Sequence, residues 1–233
     1  MRAYDSTPAA LVKHATCNAR EERSLMDANF VKRNELLAPV VIKGLESRNM
    51  SGYYAATKED ALKQALELIE PGSTIAMGGC MSAVEIGLVK ALVTGDYNFL
   101  DRAKMDPREA LLAAYDADVF LTSANAMTDD GVLVNIDGNA NRVSCIAQGP
   151  KKVVVIVGMN KVCSDVDAAM KRARNIAAPV NAQRFDLNTP CKKTGKCANC
   201  KSPDTICCQF LITRYSRQAD RIHVVLVGED LGF

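Results

Sequence analysis

The segment richest in reactive side chains is CKKTGKCANCKSPDTICC, residues 191–208, which holds five of the nine cysteines in the chain. Its spacing, C-x5-C-x2-C-x6-C, places a close pair between two outer cysteines. A C-x2-C pair on a short turn can direct both thiolates at one centre, and four thiolates are the ligands of structural zinc and of iron–sulfur clusters. The spacing predicts a metal centre with Cys208 as an alternative fourth ligand and these ligands: Cys191, Cys197, Cys200 and Cys207.

Spacing alone leaves four alternatives open: an iron–sulfur cluster, a structural zinc ion, disulfides or redox-switch thiols, and free thiols without a centre. Composition narrows the choice of partners and of cellular compartment. The net charge is +2 and aromatic residues make up 5% of the chain, so neither nucleic acid nor an anionic membrane is indicated as a partner. No apolar run approaches the roughly 18–20 residues of a bilayer span, and the N-terminus lacks a signal peptide's apolar core. We expect a cytoplasmic protein, where disulfides are disfavoured.

A second chemical feature is the glycine loop TIAMGGCMSAVEIG, residues 74–87. A short predicted strand runs into two glycines, and a predicted helix begins at Ser82. Glycines let the backbone approach a ligand, and N–H groups at a helix start suit a phosphate or carboxylate. We predict anion binding by Gly78, Gly79 and Ser82, with Glu85 as a candidate acid or base in the same cleft. The alternative is a tight turn in which Ser82 is an ordinary N-cap.

A third feature is DDGVLVNIDGNANR, residues 129–142, where two Asp-Gly turns flank a short predicted strand. Arginine binds carboxylate or phosphate through a bidentate fork, and ligands gather past the carboxyl ends of strands in α/β sheets. The pattern predicts a second acid or base at Asp137 and ligand contacts from Asn125, Gly138, Asn141 and Arg142. The alternative is a polar surface hairpin.

Predicted strands and helices alternate between these features. Continuous apolar strands are predicted over 152–157 and 222–227, which is typical of a sheet covered on both faces. The alternation predicts an α/β fold with a mostly parallel sheet flanked by helices. We expect residues 1–25 to be a disordered extension and residues 26–233 to form one domain, with 191–208 as a cysteine-rich insertion before the last strand.

Four stretches taken together are similar to the LUD family, the lactate-utilization domain: GGCMSAVEIGL, DVFLTSANAMTDDGVLVNIDGNANRV, GPKKVVVIVGMNKV and GEDLG. The resemblance covers nearly the whole chain from Met26 onward. It implies a fold like that of ribose-5-phosphate isomerases and CoA transferases, in which a glycine loop holds a phosphate or carboxylate. It places Gly78, Gly79, Ser82 and Glu85 in that loop. It also implies a second loop at Asp130, Gly131, Asn135, Asp137, Gly138, Asn141 and Arg142.

The same resemblance implies a setting for the cysteines. Family members act beside iron–sulfur proteins in the oxidation of L-lactate to pyruvate, which favours an iron–sulfur cluster, [4Fe–4S], over zinc. The leading hypothesis is therefore a protein of small organic-acid utilization that binds an anionic ligand and carries this centre. Two alternatives are an isomerase or CoA/acyl transferase and a non-catalytic, metal-braced subunit. Expected partners are a small organic anion and iron–sulfur oxidoreductase subunits, and a homodimer is compatible with this fold.

Overall fold

A computed structural model describes residues 27–233, and the predicted extension over 1–25 lies outside them. The helices lie at α1 (Ala28–Ser47), α2 (Lys58–Glu67), α3 (Met81–Glu85), α4 (Leu88–Thr94), α5 (Pro107–Asp116), α6 (Asn141–Ala147), α7 (Val166–Arg172), α8 (Ala178–Ala182) and α9 (Pro190–Thr194). The strands lie at β1 (Ser51–Ala55), β2 (Thr74–Met77), β3 (Asn98–Phe99), β4 (Val119–Thr122), β5 (Ala126–Thr128), β6 (Leu133–Asp137), β7 (Lys152–Gly158), β8 (Val162–Cys163), β9 (Gln209–Thr213) and β10 (Ile222–Val227).

A six-stranded parallel sheet forms the centre of the fold, in the order β1-β10-β7-β4-β2-β3. Its central strand β7 is buried on both faces because alternate side chains point to opposite sides. Val153, Val155 and Val157 belong to one buried cluster, whereas Val154 and Ile156 belong to the other. The predicted α/β fold with a mostly parallel sheet is thereby confirmed.

A second, four-stranded sheet in the order β8-β5-β6-β9 packs beside the first. Met127 and Leu133 pack into the same cluster as Val153 of β7, while Ala126 and Val134 belong to a smaller cluster that includes Ala169 of α7. Strand β9, which sequence patterns did not predict, pairs antiparallel with β6 directly after the cysteine segment. The cysteine segment is therefore attached to this sheet rather than only to the last strand of the parallel sheet.

Short local patterns predicted several element starts correctly. The Thr57 hydroxyl accepts from the N–H of Asp60 at the start of α2, and Asp106 caps α5 with Pro107 in its first turn. One helix expectation was wrong. The helix predicted to begin at Ser82 does not continue past Gly87: the region forms two short helices, α3 and α4, because Gly87 between them has φ +79° and ends the first.

Within residues 27–233, no helix is both long enough and apolar enough to cross a membrane.

A tight contact between layers lies where α1 crosses the β5–β6 turn. A Cβ on Gly131, whose φ is +91°, would lie 2.5 Å from the backbone N of Leu45, and a Cβ on Gly44 would lie 2.5 Å from the carbonyl carbon of Asp130. Arg48 secures the contact by donating from Nε to the Asp130 carbonyl at 2.6 Å. The two glycines therefore allow the helix and the turn to touch through their backbones.

Substitution of Gly131 tests this contact. We expect Gly131→Ala to lower the free energy of unfolding by about 2–4 kcal/mol, because it combines an unfavourable positive φ with a backbone clash. Urea denaturation measures the change. Gly72→Ala is the matched control: its φ is +79°, but a Cβ there meets nothing within 4 Å. It should cost about 1–2 kcal/mol, the conformational part alone. Equal losses in the two variants would contradict a tight helix–turn contact.

Candidate functional site

A buried lysine marks the carboxyl edge of the parallel sheet. Lys161 follows the end of β7 by three residues and is 3% exposed. Its Nζ donates to Ser82 Oγ at 3.2 Å and to Ser123 Oγ at 3.1 Å, and the two serine oxygens lie 3.3 Å apart. Ser123 directly follows β4, and Ser82 lies in the loop and helix after β2. Three neighbouring parallel strands thus deliver one ammonium and two hydroxyls to the same point.

The partners of this ammonium are neutral. Across residues 27–233, no carboxylate forms an ion pair with Lys161. Burial is the main cause that lowers the pKa of Lys161 from its ordinary value of 10.5 to about 8. Among the neighbouring groups, Cys80 and Glu85 act to raise this pKa, whereas Arg172 and Arg142 act to lower it. A buried ammonium whose hydrogen-bond partners are hydroxyls would be stabilised further by a bound anion.

Arg142, by contrast, is already engaged by the protein: within residues 27–233 its side chain makes three hydrogen bonds, and its Nε lies 3.9 Å from Asp137 Oδ2. Its guanidinium donates to the carbonyls of Ser123 at 3.0 Å and Ile136 at 2.6 Å, and to Asn125 Oδ1 at 3.0 Å. Its aliphatic stem passes Gly78, where a Cβ would lie 2.7 Å from Arg142 Cγ. Gly78 therefore has a steric reason to be glycine, and Arg142 acts as a brace that holds the strand ends while leaving positive charge at the cleft.

The two predicted acids or bases hold backbone groups. Asp137 Oδ2 accepts from the N–H groups of Arg142 and Val143 at 3.0 and 3.1 Å, and its Oδ1 accepts from Asn139 at 3.1 Å. Glu85 is exposed, and its Oε2 accepts from the Gly232 N–H at 2.9 Å. The structure thus shows Asp137 capping α6 and Glu85 fastening the segment that carries Gly232. A proton-transfer role for either one remains a prediction.

The remaining predicted ligand residues separate into lining and bracing positions. Gly79, Gly138 and Asn141 line the cleft, and a Cβ on Gly79 would meet nothing within 4 Å. Asn125 also lines it but uses its Oδ1 on Arg142 and on the Ile136 N–H at 2.9 Å. Cys80, inside the glycine loop, is buried, and burial raises its thiol pKa to about 11. That thiol is therefore protonated at neutral pH.

These groups surround a cleft of about 420 Å³. Its charged side chains are mostly positive: Lys161, Arg142, Arg102 and Arg184 line it together with the acidic side chain of Asp137. These side chains attract anions to the cleft, and the most buried of them, Lys161, lies at its floor. The size suits a small molecule rather than a polymer.

The cysteine segment forms a separate small cavity of about 70 Å³ next to this cleft. Burial, together with the smaller effect of the neighbouring cysteines, raises the pKa of Cys207 to about 11. Cys208 is exposed and does not line the cavity. The cavity lining includes all four predicted ligands: Cys191, Cys197, Cys200 and Cys207.

Several polar groups surround these sulfurs. Arg174 donates to Cys197 Sγ at 3.9 Å, Thr189 Oγ1 lies 3.4 Å from Cys191 Sγ, and the Cys200 thiol lies 4.0 Å from Thr205 Oγ1. The part of the chain from 27 to 233 nevertheless contains no group of three or more His, Cys, Asp or Glu side chains arranged to hold a metal ion. The four cysteines line one space without converging on a single point.

Ile206 forms the wall between the two cavities. It lines both the cleft that contains Lys161 and the cysteine cavity, and its Cα lies 3.3 Å from the position of a Cβ on Gly138. The backbone N–H of Cys208 donates to the Asp137 carbonyl at 2.9 Å, which ties the cysteine segment to the loop that caps α6. The cysteine cavity therefore adjoins the cleft that contains Lys161.

Lys161 is the residue of this arrangement that sequence patterns did not single out. They do single out Ser123, together with Asn125, because it lies just past the end of a predicted strand, where ligands gather. Lys161 follows the apolar run VVVIV by a few residues. A lysine just past the carboxyl end of a buried parallel strand is the signal that could have identified it.

Comparison with known proteins supports the resemblance found in the sequence. No curated protein matches the chain. Among solved structures, a DUF162 family protein from Deinococcus radiodurans is similar, with a TM-score of 0.42 and 14% identity over 87% of this chain and 99% of that one. The model of the LUD domain family matches residues 38–227, which is most of the chain and includes the cleft, Lys161 and the cysteine segment. The chain therefore belongs to the LUD, or lactate-utilization, domain family.

Proposed function

We propose that this protein binds a small 2-hydroxy or 2-oxo acid in the Lys161 cleft and carries an iron–sulfur cluster in the adjoining cysteine cavity. The observation that carries the proposal is the buried Lys161 ammonium, which lies at a positively lined cleft and has two hydroxyl partners but, within residues 27–233, no carboxylate partner. Membership of the LUD family supports a role in lactate utilization, and the cleft supplies a way to bind such an acid.

Two groups of the cleft lining match the chemistry of this class of acid. The Lys161 ammonium pairs with the carboxylate, and the Ser123 hydroxyl can donate to or accept from the oxygen on the adjacent carbon, while the buried Ser82 hydroxyl holds the ammonium in place. The buried position removes competing water, which strengthens each contact. Arg142, already committed to carbonyl oxygens, adds positive charge without having to move.

The donor set and the shape of the cysteine cavity support a cluster rather than a single zinc ion. Four thiolates at about 2.3 Å from one zinc ion would draw their sulfurs to about 3.8 Å from one another. The four cysteines line a cavity of about 70 Å³. In a [4Fe–4S] cluster each cysteine binds a different iron, so the four thiolates need not meet at one ion. Such a cluster supplies one-electron transfer, and hydrogen bonds to its sulfurs tune its potential.

Replacement of Lys161 tests the anion site. We expect Lys161→Met to raise the Kd for L-lactate or pyruvate about tenfold to a hundredfold, because the charged partner of the carboxylate is lost. Isothermal titration calorimetry measures the Kd. Lys151→Met is the matched control, since Lys151 precedes β7 at the opposite edge of the sheet and its side chain is 86% exposed. An unchanged Kd in Lys161→Met, or equal losses in both variants, would refute the site.

The pH dependence offers a second test. The cleft binds the anion through protonated Lys161, whose pKa is about 8, so affinity should be constant below pH 7 and fall as pH rises above 8. The free energy of unfolding without ligand should move the other way. Between about pH 8 and 10.5 the unfolded chain holds the Lys161 proton and the folded chain does not, so the contribution of Lys161 to stability rises with pH.

Both trends should vanish in Lys161→Met, measured by calorimetry and by urea denaturation across about pH 6.5–10. The titratable groups that act on Lys161, namely Cys80, Glu85, Arg142 and Arg172, are present in both proteins, so subtraction isolates Lys161. Identical pH profiles in the two proteins would contradict the assignment.

The cluster is tested by comparing adjacent cysteines. We expect protein purified without oxygen to be brown, with about four iron atoms per chain, as four-cysteine ligation of a [4Fe–4S] cluster implies. Cys207→Ser should lose most of the iron because Cys207 lines the cavity, whereas Cys208→Ser should retain it because Cys208 is exposed outside. Iron analysis and visible absorbance measure the outcome. Colourless protein with one zinc per chain, or loss of iron from Cys208→Ser alone, would overturn this part.

A further inference from the structure

Helix α5 covers the sheet unusually loosely. None of its residues, from Pro107 to Asp116, is fully buried. Only Leu111 and Ala114 pack, partly buried, against the core cluster beneath. Between the helix and the sheet lies a cavity of about 520 Å³. Protein interiors are normally packed to crystal-like density, so an open space of this size beneath a covering helix calls for an occupant.

The lining of this second cavity is mainly apolar. Its walls come from the ends of β2 and β4, from the chain before α5, and from α5 and α6, and they include Met77, Leu100, Met105, Leu111, Phe120 and Cys145. Arg102, Arg108 and Arg142 also line the cavity, whereas its apolar side chains favour hydrocarbon or an aromatic ring. The cavity is therefore suited to a part of a ligand that the positive cleft does not attract.

The second cavity adjoins the anion cleft directly. The two spaces share the side chains of Arg102, Asn139, Asn141 and Arg142. Arg142 stands at the boundary: its guanidinium faces the strand ends beside Ser123, while its aliphatic stem lies against Gly78 in the wall of the apolar cavity. A ligand whose acid group lies at Lys161 can thus extend past this boundary into apolar surroundings.

We propose that the natural ligand is an organic acid with an extended apolar group, such as a longer-chain 2-hydroxy or 2-oxo acid, whose chain occupies the cavity beneath α5. The inference rests on the proposed function, because it takes the acid group to lie at Lys161. It goes further in naming the ligand class: lactate, with a single methyl group, leaves the apolar cavity empty. Affinity should therefore increase with chain length.

The test is a calorimetric series from L-lactate through L-2-hydroxybutanoate and L-2-hydroxyhexanoate to L-2-hydroxyoctanoate. Each methylene that enters the apolar cavity should lower the Kd about threefold to fourfold. Ala110→Phe, which fills the cavity from α5, should abolish this dependence and leave L-lactate binding unchanged. Leu112→Phe is the matched control, because Leu112 is exposed and does not line the cavity. Ala114→Leu serves as a second filling variant, and circular dichroism confirms the fold of each.

The outcomes separate the two proposals. If L-lactate binds in a Lys161-dependent manner but the Kd does not change with chain length, the apolar extension is refuted and the anion site stands. If the Kd falls with chain length equally in wild type, Ala110→Phe and Ala114→Leu, the chain binds elsewhere and the inference also fails. If no member of the series binds, the proposed function fails with it. A chain-length gain lost only in the two filling variants supports the inference.

Discussion

The parallel pairing of β2, β4 and β7 is the constraint on which the site depends. These strands are neighbours in one sheet, with Met77 paired to Leu121 and Thr122 paired to Val155, so their carboxyl ends face the same way. The segments that leave those carboxyl ends must then share one edge of the sheet. A hydroxyl arrives after β2, another directly after β4 and an ammonium after β7. Residues far apart in the chain reach hydrogen-bonding distance because all three strands end at this edge. The apolar residues of β7 that stabilise the sheet also place Lys161, which follows them, in the interior.

Burial of that lysine is a cost to the folded protein that folding alone does not explain. Desolvation of the ammonium lowers its pKa, and two hydroxyls offset only part of the lost hydration. The neighbouring arginines show the contrast. Arg142 and Arg172 are also buried or half-buried, yet each is matched to backbone carbonyl oxygens, as a structural cation should be. The recorded partners of Lys161 are instead two hydroxyls, so the proposed ligand-binding role rests on Lys161 rather than on the arginines.

Sequence patterns anticipated those parts of the structure that depend on local signals. The bounds of β2, the caps at Thr57 and Asp106, and the buried strands over 152–157 and 222–227 all follow from short patterns. The break at Gly87 was missed because a glycine with positive φ looks like any other glycine in a helical pattern. Strand β9 was missed because it exposes Phe210 and Ile212, so its apolar side chains do not mark a buried face. The role of Lys161 was invisible for a different reason, since its burial is created by strands that lie far away in the sequence.

The cysteine segment is best understood through its attachment to the cleft. The register between β6 and β9 pairs Asp137 with Gln209, and the Cys208 N–H donates to the Asp137 carbonyl. The last cysteine of the segment is therefore hydrogen-bonded directly to the residue that caps α6. Ile206 then forms a single side-chain wall between the sulfurs and the cleft. A purely structural brace would serve equally well on any surface of the fold. A centre that carries electrons must instead lie close to the bound acid, and it gains from an apolar partition that keeps water away from the cluster. The position of the segment, at the end of β6 rather than at a remote loop, is the one that the proposed redox role of the cysteines requires.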